Sequence, residues 1–212
     1  MSSRRHLREK ITALLTEGDL QALEELAGRE KGVVDILLQF LYDPQDIKQW
    51  RALEGLGRMA GAHPEQVRKV ITRLLWLLNE DSGSFGWGAA AALGEIGRHQ
   101  ISLVQDLLPM FGGLLWEEFS REPMLWGIGR LAEVHPQALE ELVPEVMACL
   151  QDPDPQVRGL SAWCLGYLGA RQALGAIQDL LVDAAAVTIY DRGELRQTTV
   201  GELAREALAR LG

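Results

Sequence analysis

Apolar residues recur along the chain at steps of three and four, interrupted at regular intervals by short polar or glycine-containing stretches. Such spacing predicts amphipathic helices. Leu41-Tyr-Asp43, Leu78-Asn-Glu80, Leu115-Trp-Glu117, Leu150-Gln-Asp152 and Leu181-Val-Asp183 each end an apolar segment with Leu followed two residues later by an acid. The intervals are 37, 37, 35 and 31 residues. A second marker runs in phase with the first: Gly57, Gly94, Gly129 and Gly166, each directly after Leu or Ile and spaced by 37, 35 and 37 residues. Two separate markers sharing one period define an internal repeat.

Each period divides into two helices. The first, A, is predicted over 46–61, 84–98, 120–134 and 155–169; the second, B, over 64–79, 101–117, 137–150 and 172–182. Val67, Val70, Ile71, Leu74, Leu75 and Leu78 give the first B helix a broad apolar face. Pro64 and Pro136 stand seven residues after their reference glycines, where a missing N–H suits the first turn of helix B. Asp154-Pro155 opens the last A helix with a capping acid and a proline at the first helical position. The repeated unit is therefore an antiparallel helix pair.

The run Glu141-Leu-Val-Pro-Glu-Val-Met-Ala-Cys-Leu-Gln-Asp-Pro-Asp-Pro-Gln-Val-Arg158, continuing to Ala162-Trp-Cys-Leu-Gly-Tyr-Leu-Gly169, resembles HEAT repeats. More narrowly, it is similar to the bacterial phycobilisome-lyase HEAT-like type. The full Asp154…Val157-Arg158 signature occurs once. The earlier A helices carry Lys48-Gln49, Phe85-Gly86 and Ser120-Arg121 at the Val-Arg positions, so an unbroken ladder of Asp and Arg is not expected. The resemblance implies an all-α fold, an α-α superhelix of HEAT-like solenoid type, forming one domain over 1–212. Residues 1–43 would be an irregular N-terminal cap of three short helices, split at Glu17-Gly-Asp19 and at Gly28 to Gly32. Residues 44–183 would be four helical hairpins. Over 184–212, Val187–Tyr190 and Leu195–Val200 flank Asp191-Arg-Gly-Glu194 as a small β-hairpin, and Thr199-Val-Gly-Glu202 is a capping box opening a terminal helix.

Charge narrows the range of functions. The chain has 212 residues, 21 Lys+Arg and 30 Asp+Glu, for a net charge of −9. The whole surplus lies in residues 81–157, where 12 acids face only Arg98, Arg121 and Arg130. That sign opposes a nucleic-acid partner, including duplex held in a basic groove as by the HEAT-like alkylpurine DNA glycosylases. No apolar run reaches the ~20 residues of a membrane helix, and no secretory leader is evident, so a cytoplasmic protein is expected. Cys149 and Cys164 form no CxxC pair and sit among apolar neighbours, as buried reduced thiols do.

Candidate chemistry is sparse. Gly86-Trp-Gly-Ala-Ala-Ala91 and Gly127-Ile-Gly-Arg-Leu-Ala132 imitate dinucleotide loops, but no strand precedes either. His63, His99 and His135 fall at successive A–B turns, and helices about 8–10 Å apart do not bring them to one ion with bonds of roughly 2 Å. No metal, no cofactor and no catalytic set is expected. Trp50, Trp87, Trp126 and Trp163 share one face of the A helices, and at least three of the four are read as inter-repeat core rather than a ligand cage.

The most suggestive surface is on the B helices. Lys69, Arg73 and Trp76 share a stripe beside the apolar face. One repeat later the positions hold Asp106, Met110 and Gly113, and one further Glu141, Glu145 and Ala148. In the resembled family B helices line the concave side, so this inner surface would run from basic and aromatic to acidic. A solvated helix face with no partner is the competing reading. The expected function is a non-enzymatic scaffold or adaptor gripping a protein or peptide in the concave groove. The alternative, implied by the family label, is a tetrapyrrole- or bilin-handling accessory protein.

Overall fold

The computed structural model describes residues 3–79 and 87–212, and the backbone but not the side chain of Ser3 and Trp87. Glu80, Phe85 and Gly86, used above as markers, lie outside the described residues. The fold is an all-α, HEAT-like solenoid with a two-stranded antiparallel sheet near the C-terminus. The chain forms two compact units, 1–104 and 105–212.

In the first unit, α1 (Ser3–Glu17), α2 (Leu20–Arg29) and α3 (Val33–Leu37) make the irregular cap. They are followed by α4 (Ile47–Ala62), α5 (Pro64–Leu78) and α6 (Trp87–His99). Gly18, at φ +79°, stops α1, and the Asp19 carboxylate accepts from the Ala22 N–H at 2.9 Å to start α2. Arg51 donates to the Leu15 and Thr16 carbonyls at 3.0 and 2.7 Å, supplying partners and positive charge at the C-terminus of α1. Leu53, Leu56, Met59 and Ala60 of α4 are fully buried, as are Ala89 to Leu93 and Ile96 of α6. The two helices meet at Gly57, where an added Cβ would lie 2.7 Å from Glu95 Cγ and 2.8 Å from the Glu95 carbonyl oxygen. The Leu-Gly marker thus records a close helix crossing.

In the second unit, α8 (Glu118–Ala132), α10 (Pro155–Leu168) and α12 (Val200–Leu211) pack in sequence. α7 (Leu108–Leu114), α9 (Val143–Ala148) and α11 (Leu174–Asp179) occupy the B positions. The same glycine rule holds. A Cβ on Gly129 would overlap the Trp163 ring, and one on Gly166 would lie 2.7 Å from Ala207 Cα. α12 therefore closes on α10 as another A helix would. The Asp154 side chain caps α10 through Gln156 N–H, and the Thr199–Glu202 capping box opens α12, both as the sequence predicts.

The B helices depart from expectation. Only α5 is one continuous helix. The predicted 101–117, 137–150 and 172–182 are short α segments flanked by 3-10 turns: Ile101–Leu103 and Gln105–Leu107 before α7, Pro136–Leu142 and Cys149–Gln151 around α9, and Arg171–Ala173 and Leu180–Val182 around α11. Pro109 and Pro144 stand at the second positions of α7 and α9. Without an N–H each lacks the bond to a preceding α turn, which favours a break there, whereas the same pattern around α11 arises without a proline.

Two strands follow, β1 (Ala186–Asp191) and β2 (Glu194–Thr199), with Asp191 opposite Glu194. Arg192 and Gly193 between them both have positive φ, 50° and 85°, as a type I′ turn requires. The hairpin is fastened to the helices. Trp126 Nε1 donates to the Tyr190 carbonyl at 3.0 Å, and Gln156 both donates to and accepts from the Thr188 backbone at 2.6 and 2.9 Å. Two Asp–Arg rungs also form in this unit, Arg121–Asp152 and Arg158–Asp183, each at 2.7 Å.

Candidate interaction surface

α5 is the clearest amphipathic element. Val67, Val70, Ile71, Leu74 and Leu77 are buried, whereas Lys69 and Arg73 are exposed and Trp76 leaves 57% of its surface open. The four- and three-residue steps set these three side chains along one stripe. Among the described residues neither Lys69 nor Arg73 takes part in an ion pair. An exposed indole beside two such cations is a surface with contact energy left to give.

The remaining predicted residues belong to the second unit and do not sit on continuous helices. Asp106 is exposed in the 3-10 turn before α7, and Met110 is half-buried within α7. Glu141 is exposed in the 3-10 stretch before α9, and Glu145 is half-buried in α9. The regular four-residue stripe inferred for these pairs is corrected: Pro109 and Pro144 separate each acid or methionine from its intended helix neighbour. Gly113 faces open space, while Gly112 would bring a Cβ to 3.7 Å from the Glu145 stem. One Glu145 oxygen, Oε2, is buried without a hydrogen-bond partner. Glu145 is therefore partly a packing residue.

Three of the four A-helix tryptophans are core. Trp126 is 0%, Trp163 1% and Trp50 8% exposed. The Trp87 side chain lies outside the described residues. Cys149 and Cys164 are buried free thiols, and burial pushes both thiols up. His63 links α4 to α5, its N–H returning to the Met59 carbonyl at 2.7 Å, and His135 precedes the 3-10 stretch that begins at Pro136. Among the described residues no group of three His, Cys, Asp or Glu is placed to hold a metal ion, and no helix is long and apolar enough to cross a membrane. Gly127-Ile-Gly-Arg-Leu-Ala132 lies inside α8.

Other notable residues escaped the sequence reading. Trp116 and Phe119 are 66% and 59% exposed. The signal for Trp116 was present, because it fills the middle place of the Leu-x-acid marker. Glu122 has its carboxyl pushed up to about 7, by burial first and by the nearby Asp154 carboxylate second, against a hydrogen bond from Gln156. Nothing in the spacing of Glu122 announces that environment.

The HEAT-like repeat family matches residues 119–168, from the start of α8 to the end of α10. A protein of Archaeoglobus fulgidus, named only as an uncharacterized protein, is 34% identical over 174 residues, which cover 79% of this chain and 91% of that one. Crystal structures of two engineered proteins share the fold at 18% identity. One has a TM-score of 0.57 over 96% of this chain and 89% of its own, the other 0.56 over 100% and 99%. At 34% identity over most of both chains, the protein belongs to one family with the archaeal protein, and its residues 119–168 match the HEAT-like repeat.

Proposed function

We propose that the protein is a non-enzymatic adaptor that holds a protein or peptide partner on the exposed faces of its B helices. The observation that carries this reading is the α5 stripe, where an open Trp76 stands beside Lys69 and Arg73 over a helix otherwise anchored by buried aliphatics. Stacked helices present such a face preformed, so little ordering entropy opposes binding. Lys69 and Arg73 would steer an acidic segment and Trp76 would supply the apolar anchor. In the second unit Asp106, Met110, Glu141 and Glu145 are the counterpart residues, offering an acidic face of their own. The phycobilisome-lyase HEAT-like type belongs to this proposal as well, supported by the Asp154…Val157-Arg158 signature and the pairing of Arg158 with Asp183.

The test is quantitative binding of the physiological partner, identified by affinity capture with the intact chain from its native cell. Arg73→Glu and Trp76→Ala are each expected to weaken that complex by about tenfold or more while leaving the helical circular dichroism intact. Unchanged affinity in both variants would remove the α5 stripe from the binding surface.

A further inference from the structure

The middle residue of each Leu-x-acid marker is exposed: Tyr42, Asn79, Trp116, Gln151 and Val182. In the second unit this row holds Trp116, with a second exposed ring close by in the chain. Trp116 is 66% exposed, and Phe119, three residues on, is 59% exposed. Two large rings left in water three residues apart in the chain are candidates for a contact surface. The backbone beneath them is braced. Arg121 donates to the Leu115 and Trp116 carbonyls at 2.7 and 3.3 Å and to Asp152 at 2.7 Å, and Ser120 donates to the Leu114 carbonyl at 2.8 Å. Trp116 is thus presented on a turn already fixed in place, which removes part of the ordering cost of binding.

Charge selects the occupant. Glu117 and Glu118 lie between the two rings in the chain, both exposed and neither in an ion pair among the described residues. Over residues 105–157 ten acids face only Arg121 and Arg130, and both arginines are engaged, with Asp152 and with Glu133. A cation approaching this turn meets two exposed acids that lie between two exposed aromatic residues in the chain. We propose that the Trp116–Phe119 turn is a docking site for a cationic segment of a partner protein, with arginine as its preferred side chain. A guanidinium can stack on the indole and still direct its planar fork at Glu117 or Glu118, which an ammonium cannot do equally well. The chain makes the same choice internally, with Arg210 stacked 4.2 Å from the Tyr167 ring centre.

The probe is a synthetic peptide of alternating arginine and glycine, titrated into the full chain by calorimetry. The wild type is expected to bind it, and Trp116→Ala to lower the affinity at least about tenfold, with Trp116→Phe retaining most of it. The double replacement Glu117→Lys with Glu118→Lys is expected to abolish binding, so the charge arm stands even if removing the indole disturbs folding. Trp76→Ala should leave peptide affinity unchanged, which separates this surface from the α5 stripe. No binding by the wild type would overturn the proposal. So would equal affinity in the charge-reversed chain, or an equal loss with Trp76→Ala.

Discussion

Replacing Trp126 by alanine is expected to destabilise the protein by about 3–5 kcal/mol, the range for emptying a buried aromatic site. The indole is fully buried in α8, and it holds the hairpin and a buried arginine. Its Nε1 donates to the Tyr190 carbonyl of β1 at 3.0 Å. Its ring tilts at 60° against the Tyr190 ring, 6.2 Å between centres. The guanidinium of Arg130, a residue 7% exposed, lies 5.5 Å from the indole centre. Alanine would leave a cavity, strip the Tyr190 carbonyl of its indole donor and remove the ring that Arg130 covers. Trp126→Phe keeps most of the apolar volume and loses the donor, so about 1–3 kcal/mol is expected there. Urea unfolding of both variants checks this, with Trp76→Ala as the surface comparison, expected within about 0.5 kcal/mol of wild type. A loss below about 1 kcal/mol for Trp126→Ala would show that the hairpin is not held through this ring.

Glu122→Gln should have a pH-dependent effect of nearly the same size. The folded protein holds the Glu122 carboxyl up at about 7, chiefly through burial and secondarily through Asp154, the capping acid of α10. In the unfolded chain the same group titrates near 4.5. Because the folded value is the higher one, its stabilising contribution is complete below the unfolded value. It declines as pH rises through that window and is gone above about 7. Glutamine has the same shape and no charge to bury. The variant should therefore match wild type near the acid end of the window and exceed it by about 2–3 kcal/mol at the alkaline end. Paired urea titrations across that range check the sign. A constant difference at every pH would show that Glu122 does not titrate in a buried setting.

The α5 stripe was legible in the sequence because helical spacing alone puts Lys69, Arg73 and Trp76 on one side of Val67, Val70 and Leu74. Its extension to Asp106, Met110, Glu141 and Glu145 was legible only as repeat phase. Phase specifies which residues correspond, not whether the intervening backbone is α-helical. Pro109 and Pro144 favour a break in two of these stretches by withholding an N–H. Trp116 shows the opposite failure. Its marker position was visible, but whether an indole after a leucine turns inward or outward depends on what covers it, and here most of its surface stays open.

By itself the sequence determined the repeat, the helix pairs, the caps at Asp154 and Thr199 and the terminal hairpin, because each rests on interactions between residues a few positions apart. Helical periodicity, a capping side chain and a two-residue turn are all local. Only the tertiary structure decided that Gly57, Gly129 and Gly166 are crossing points for the next A helix or its equivalent. The same holds for Arg51 closing the end of α1 and for Trp126 reaching Tyr190, 64 residues away along the chain. Burial works the same way: the Glu122 carboxyl is held up by desolvation and by Asp154, 32 residues away, and desolvation is a property of the assembled neighbours rather than of the residue.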